Sequence, residues 1–348
     1  MKFFHLSDLH IGKQLHRYNL KEDQQMILKE VIAYAKELRP DAIVIAGDIY
    51  DKSVPSAEAV TIFDEFLTEL SEITPAIPIL IISGNHDSPD RLNYASEILR
   101  RHHIYLVGNV PEQPEEHIEK VTLQDTYGEV DFYLLPFMKP GYVRNVFVNN
   151  VPETYADAVR EIIKREEIDY NNKRNVLVSH QFYVGEKEGS PETCDSEVFS
   201  VGGIDNVDIG AVKEFDYVAL GHLHGPQKIG KEAVRYSGTP LKYSFSETNH
   251  KKAAVIVDVE EKGKINIQQI PFLPKHDMRE IRGTYMEVTA LDFYKDMNTD
   301  DYLHITLTDE EDIPDAIGKL RTIYPNIMKL SYDNLRTRAA VTVRGRQK

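Results

Sequence analysis

The sequence predicts an α/β protein, a layered sandwich of sheets, followed by a small α+β module. Short branched apolar runs alternate with stretches of helical periodicity, which is the α/β pattern. At 348 residues the chain exceeds the ~250–300 at which a single core stops growing, so two domains are expected. The stretch PFLPKHD (271–277), with two prolines, reads as the linker between them, giving domains at 1–272 and 278–348.

The elements follow in order. KFFHLSD reads as a strand and is succeeded by a helix over about 21–38, the strand AIVIAGD, a helix over 56–72, the strand ILIISGN and a helix near 90–101. VDFYLLPF (130–137), NVLVSH (175–180), DYVALGH (216–222), AVRYSG (233–238) and AAVIVDV (253–259) come next, with fewer helices between them. That thinning favours stacked sheets over one doubly wound sheet. Past the linker, YMEVTA, YLHITLT, a helix around 314–323 opening at Pro314, IMKLSYD and the apparent strand AAVTVR form the smaller module.

Composition removes several function classes. The opening MKFFHLSD has no apolar signal core and no later run reaches the ~18 residues that span a bilayer, so a cytoplasmic enzyme is expected, with no membrane association. The single cysteine, Cys194, excludes an internal disulfide or a Cys-rich metal site, and PETCDS reads as an exposed acidic loop that makes it a bystander. Net charge is −15, which argues against a protein that coats DNA but not against a nucleic-acid enzyme whose metal ions supply the positive charge. Residues 278–348 carry 11 basic and 12 acidic side chains, so the acidity belongs to the first domain.

Five apolar runs end in residues with no apolar purpose: SDLH (Asp8, His10), AGD (Asp48), SGNHD (Asn85, His86), SH (His180) and GHLH (His222, His224). Open α/β sheets place their sites at the carboxyl ends of strands, so these segments can meet in one cleft. Gly47, Gly84 and Gly221 let the backbone turn close to it. Each piece alone is a turn or a cap as readily as a ligand. Together, each after a strand, they read as a two-metal site: two divalent ions need a bridging carboxylate, with imidazole and amide ligands filling their shells, to clamp a phosphate and activate water. His86 is then the spare imidazole, placed to stabilise or protonate the leaving oxygen.

The ordered motifs DxH, GD, GNHD, H and GHxH resemble those of the calcineurin-like metallophosphoesterases. FFHLSDLHIGK, VIAGDIYDKSVPS, LIISGNHDSPDRL, VSHQF, SEVFSVGGID, FDYVALGHLHGPQ and YSGTPLKYSFSE are similar, more closely, to the bacterial SbcD family of double-strand-break repair nucleases, over nearly the whole chain. The resemblance implies a four-layer αββα metallophosphoesterase sandwich with a small C-terminal capping domain over the cleft. It implies one metal on Asp8, His10, Asp48 and His224, another on Asp48, Asn85, His180 and His222, and His86 as the catalytic histidine. The family's metal is Mn²⁺, although this ligand set would also hold Zn²⁺ or Fe²⁺. Where archaeal and eukaryotic relatives carry a second histidine, GDIYD has Asp51, read as an acid whose carboxylate orients His86.

The resemblance also implies an ATP-dependent activity through an SbcC-type ATPase with a coiled coil, cutting duplex ends as an exonuclease and hairpins or blocked ends as an endonuclease. Its setting is DNA repair, recombination and replication. Arg336, Arg338, Arg344 and Arg346 are candidate phosphate contacts, and Ile62, Phe63, Phe66, Leu67, Leu92, Ile98 and Leu99 on the helices at 56–72 and 90–101 a candidate homodimer face, though periodicity alone would bury them. Because the family's capping domain precedes a helical segment that docks on the ATPase, the stop at Lys348 leads to the expectation of a shortened chain that holds its partner weakly. A phosphomonoesterase or small-molecule phosphodiesterase of the same fold is the enzyme alternative, and a scaffold that lost its metals the non-enzyme one.

Overall fold

The computed structural model describes residues 1–147, 151–185, 191–197 and 203–338. Four strands, β1 (Lys2–Leu6), β2 (Ala42–Ala46), β3 (Ile79–Ile82) and β4 (Ile104–Val107), run parallel as neighbours in one sheet. The next six, β5 (Glu119–Asp125), β6 (Gly128–Leu135), β7 (Arg174–His180), β8 (Tyr217–Gly221), β9 (Gln227–Ile229) and β10 (Lys231–Tyr236), build a second sheet in the order β9-β10-β8-β7-β6-β5. The chain then returns to the first sheet with β11 (Ala253–Val259) and β12 (Ile265–Pro271), giving β12-β11-β1-β2-β3-β4.

Strand alternation decides what each sheet faces. In β2, Ile43 and Ile45 join the cluster beneath α1 (Lys21–Leu38) and α2 (Ala57–Ser71), whereas Ala42, Val44 and Ala46 meet Val176, Val178 and Ala219 of the opposite sheet. The outer face of the second sheet is covered by α5 (Tyr155–Lys164) through Ala158, Val159, Ile162 and Ile163. The layers are therefore helix, sheet, sheet, helix, as expected for the α/β sandwich. Burying each such Ile or Val stabilises the stack by ~1.5–3 kcal/mol.

A third sheet of β13 (Met278–Gly283), β14 (Tyr302–Leu307) and β15 (Ile327–Tyr332), all parallel, closes its own core with Leu320 and Tyr324. The linker before it is held down: the His276 N–H donates to Asp23 at 3.1 Å, and the Tyr302 hydroxyl donates to the same buried carboxylate at 2.7 Å. Met278, Tyr302 and Met328 reach into the first domain's core.

Three expectations are corrected. The helix near 90–101 is two short ones, α3 (Pro89–Leu92) and α4 (Ser96–Arg100), broken where Asn93 Oδ1 accepts the Gly108 N–H at 2.8 Å and Ala95 takes a left-handed φ of 61°. YMEVTA opens a helix, α6 (Tyr285–Val288), because Thr284 and Glu287 form a reciprocal capping box. Phe66, Ile62, Phe63, Leu67 and Leu92 lie in the core, and of the seven residues offered for the dimer face Ile98 alone is exposed. AAVTVR lies outside the described residues.

Candidate metal centre

The site forms where parallel strands from both sheets end on the same side. β1, β2 and β3 run into Asp8 and His10, Asp48, and Asn85 and His86; β7 ends on His180, and β8 leads into His222 and His224. The sheets nearly touch there. A Cβ on Gly221 would sit 1.9 Å from the Ala46 carbonyl oxygen, and one on Gly84 would sit 2.1 Å from Asp48 Oδ1, so only glycine fits at either place. Asp8, His10, Asp48 and His222 all take positive φ (52°, 44°, 52° and 107°), backbone strain of the kind that collects at functional sites.

The side chains converge closely. His10 Nε2 lies 3.1 Å from His224 Nε2 and 3.6 Å from Asp48 Oδ2, and His180 Nε2 lies 3.5 Å from the same carboxylate oxygen. Asn85 Oδ1 is 3.0 Å from His180 Nε2 and 2.8 Å from His222 Nδ1. The His222 N–H donates to the Asp8 carboxylate at 3.1 Å, and His180 Nδ1–H donates to the Ala46 carbonyl at 2.7 Å, which turns its Nε2 toward Asp48 and Asn85.

Burial pushes His222 down to about 3 and His10 well below its usual range, so both present lone pairs at neutral pH. Burial also lowers His180, but Asp48 and Asp8 outweigh it and raise the ring to about 9. Burial raises Asp8, and the charge of Asp48 raises it further, a repulsion that a cation relieves. For Asp48 burial acts upward, yet the neighbouring His180 holds it well below the carboxylate range.

This donor set fits divalent ions. Asp8, His10 and His224 offer ligand atoms within 4.8 Å of one another, as do Asp8, Asp48 and His180, and also His10, Asp48 and His86. Asp8 and Asp48 each serve two of these trios. The facing Nε2 atoms of His10 and His224 are two nitrogens aimed at one point, which a shared ion satisfies.

His86 is placed by its neighbours. Its backbone N–H donates to Asp48 Oδ1 at 2.8 Å, and its ring Nδ1–H donates to the backbone carbonyl of Asp51 at 2.9 Å, leaving Nε2 to meet a substrate. The expected bond from the Asp51 carboxylate to His86 is therefore corrected. That carboxylate pairs with Lys13 at 2.8 Å and lies 3.8 Å from His10 Nδ1, because the turn after Asp48 points its carbonyl, and not its side chain, at His86.

Supporting residues escaped sequence reasoning. Asp87 accepts the N–H groups of Gly84, Ile49 and Tyr50, locking two ligand loops together; burial and the nearby Asp48 push it up to about 7. It stood in plain view in GNHD. His224 Nδ1 is 2.7 Å from the Ser196 hydroxyl, which donates to Glu247 at 2.6 Å, and Lys252 bonds both Glu247 and the His224 carbonyl. The glutamate of YSFSE gave only the faint signal of an acid among apolar residues.

Cys194 is buried, not exposed, since its loop folds against the residues around Glu247; burial and then Glu197 push its thiol up to about 12, which suits a bystander. Arg336 and Arg338 lie exposed, paired with Asp312 and Asp333. Arg344 and Arg346 lie outside the described residues.

Residues 1–226 match the calcineurin-like phosphoesterase family, and residues 274–347 match a domain described as the type 5 capsule protein repressor C-terminal domain. The chain is 37% identical over 334 residues to the SbcD subunit of the SbcCD nuclease of Staphylococcus epidermidis, covering 95% of this chain and 85% of that one. The protein of the same name from Staphylococcus saprophyticus is 33% identical over 332 residues, covering 95% and 84%. Among solved structures, "GAP50 the anchor in the inner membrane complex of Plasmodium" overlaps loosely, with a TM-score of 0.45 at 12% identity over 91% of this chain and 98% of that one.

Proposed function

The chain belongs to the calcineurin-like phosphoesterases and, within them, to the SbcD nucleases, and from that premise we propose a two-metal DNA phosphodiesterase with its ligands at the strand ends described above. The observation that carries this reading is the convergence of Asp8, His10, Asp48, Asn85, His180, His222 and His224 from two sheets, with His86 beside them. Two divalent ions, Mn²⁺ in this reading, would polarise the phosphodiester and bring water to a reactive pKa near 7.

The chain's own residues do the rest. Asp8 and Asp48 would fix the spacing of the centre, because they cluster together with His180 while Asp8 also clusters with His10 and His224. Asn85 carries β3's end across to both His180 and His222. His86, anchored at its backbone and at Nδ1, keeps Nε2 for the leaving oxygen, stabilising or protonating it.

Further parts of the proposal concern setting and partners. We assign the activity to the cytoplasm, working on duplex ends and hairpins with an SbcC-type ATPase that bears a coiled coil. Among the described residues no helix is long and apolar enough to cross a membrane. Arg336 and Arg338 sit in exposed ion pairs, worth little to the fold, so exchanging a carboxylate for a DNA phosphate costs little. A homodimer would use the groove of about 480 Å³ between α2 and the α3–α4 segment, bordered by exposed Val60 and Tyr94, with Ile98 exposed on α4 nearby.

Cleavage of linear duplex DNA against p-nitrophenyl phosphate, both with Mn²⁺, tests the reading. The DNA should be cut efficiently and the monoester poorly. The reverse preference would favour the phosphomonoesterase, and the absence of both activities a scaffold.

A further inference from the structure

A cavity of about 220 Å³ opens next to the metal ligands and shares Asn85 and His222 with them as part of its wall. Its walls include four aromatic rings, Phe137, Tyr142, Tyr155 and Phe182. Two of them touch the ligand histidines: the Phe137 ring lies 6.4 Å from that of His180, and the Phe182 ring 6.1 Å from that of His222. Phe137 and Tyr155 are themselves neighbours, with centroids 6.4 Å apart.

Gln181 also lines this cavity, and it is fully buried. Its Nε2 donates to the Met138 carbonyl at 3.1 Å, but its Oε1 has no hydrogen-bond partner among the described residues. Lys139 adds an exposed ammonium to the lining.

The lining also holds Asp87 and Asp205, so what it matches is set by the aromatic faces and by the metal ligands at its edge: a planar heterocycle whose phosphate lies at the metal centre. At about 220 Å³ the space falls below the ~300–1,000 Å³ of sites for drug-sized molecules. It suits one ring system and excludes a base pair. We propose that this cavity receives a single unstacked nucleobase, belonging to the nucleotide whose phosphate is cut, with Tyr142 and Phe137 stacking on it. The inference rests on the nuclease reading and deepens it: the preferred substrate is DNA whose terminal base is already out of the helix, because opening a pair costs energy that a frayed or unpaired end does not require.

The test uses the full chain with Mn²⁺ and duplex oligonucleotides whose unpaired terminal residues carry either adenine or no base. The base-bearing ends should be cut with a kcat/KM about 5- to 100-fold higher, the range that stacking on aromatic side chains provides. Tyr142 is 46% exposed, so Tyr142→Ala should fold and should bring that ratio towards one, while Tyr142→Phe keeps it. A wild-type ratio of one overturns the subsite and leaves the nuclease reading intact. So does a Tyr142→Ala variant in which both rates fall together and the ratio survives. If the wild type cuts neither oligonucleotide, the nuclease reading itself fails and this inference falls with it.

Discussion

The two sheets bring unlike chemistry to one cleft. β1, β2 and β3 deliver both buried carboxylates, Asp8 and Asp48, with His10 and Asn85; β7 and β8 deliver imidazoles alone, His180, His222 and His224. Positive φ brings Asp8, His10 and Asp48 of the first sheet and His222 of the second to the cleft, while His180 sits in regular strand geometry as the last residue of β7. Neither sheet holds a complete site. The difference teaches that the seam between the sheets is itself part of the chemistry, and that Asn85, bonded to two histidines across it, and Gly221, packed against Ala46, are where fold and function coincide.

The largest way to break this arrangement is to force the seam open. Gly221→Ala places a methyl group 1.9 Å from a backbone oxygen that cannot swing aside, so the cost should exceed the ~1–3 kcal/mol of ordinary overpacking and unfold or aggregate the protein. Gly141→Ala, whose added methyl meets nothing within 4 Å among the described residues, is the control and should leave the denaturation midpoint in place. Next comes His86→Asn, which should lower DNA cleavage by ~10²–10⁴-fold while both metals stay bound. Loss of an ion by elemental analysis would instead make His86 a ligand, through the trio it forms with His10 and Asp48.

Much of the site was legible because its chemistry interrupts apolar runs. SDLH, AGD, SGNHD and GHLH each end a strand, whereas AIVIA is apolar throughout, so which of its residues face the helices and which the other sheet is shown by the structure alone. What was not legible depends on which atom of a residue points where. Asp51 lies beside His86 as expected, but by its carbonyl, a choice made by backbone dihedrals that no residue type encodes. The Ser196–Glu247 support of His224 joins residues 51 apart, and nothing local marks the pair. The break at Ala95 was hidden because the apolar spacing continues through it.

A smaller effect compares the supports of the two halves. Glu247→Gln should weaken metal binding by ~10–100-fold through Ser196 and His224, as measured by titration with Mn²⁺. Asp51→Asn, which leaves the carbonyl in place, should change cleavage by less than about tenfold.

An effect on stability, outside the site's activity, concerns His5, buried between the sheets, whose Nε2–H donates to the Leu220 carbonyl at 3.1 Å while Nδ1 accepts from the Tyr217 hydroxyl at 2.9 Å. Burial pushes it down to about 3 from 6.5, so between those values the unfolded chain takes up a proton that the folded one refuses. Stability should fall as pH drops through that window, by up to ~1.4 kcal/mol per pH unit from this group. His5→Leu should flatten the slope of unfolding free energy between about pH 6 and 5, whatever it does to the absolute value. An unchanged slope would mean that the ring is protonated in the folded protein.

The central claim is that ligands from both sheets make one centre for two ions with Asp48 between them. The most direct measurement is the stoichiometry of Mn²⁺ bound by the metal-stripped chain and by Asp48→Ala, read by equilibrium titration and elemental analysis. The account predicts two ions per wild-type chain, and loss of at least one together with all DNA cleavage in the variant. One ion or none in the wild type, or two ions retained without Asp48, would contradict it.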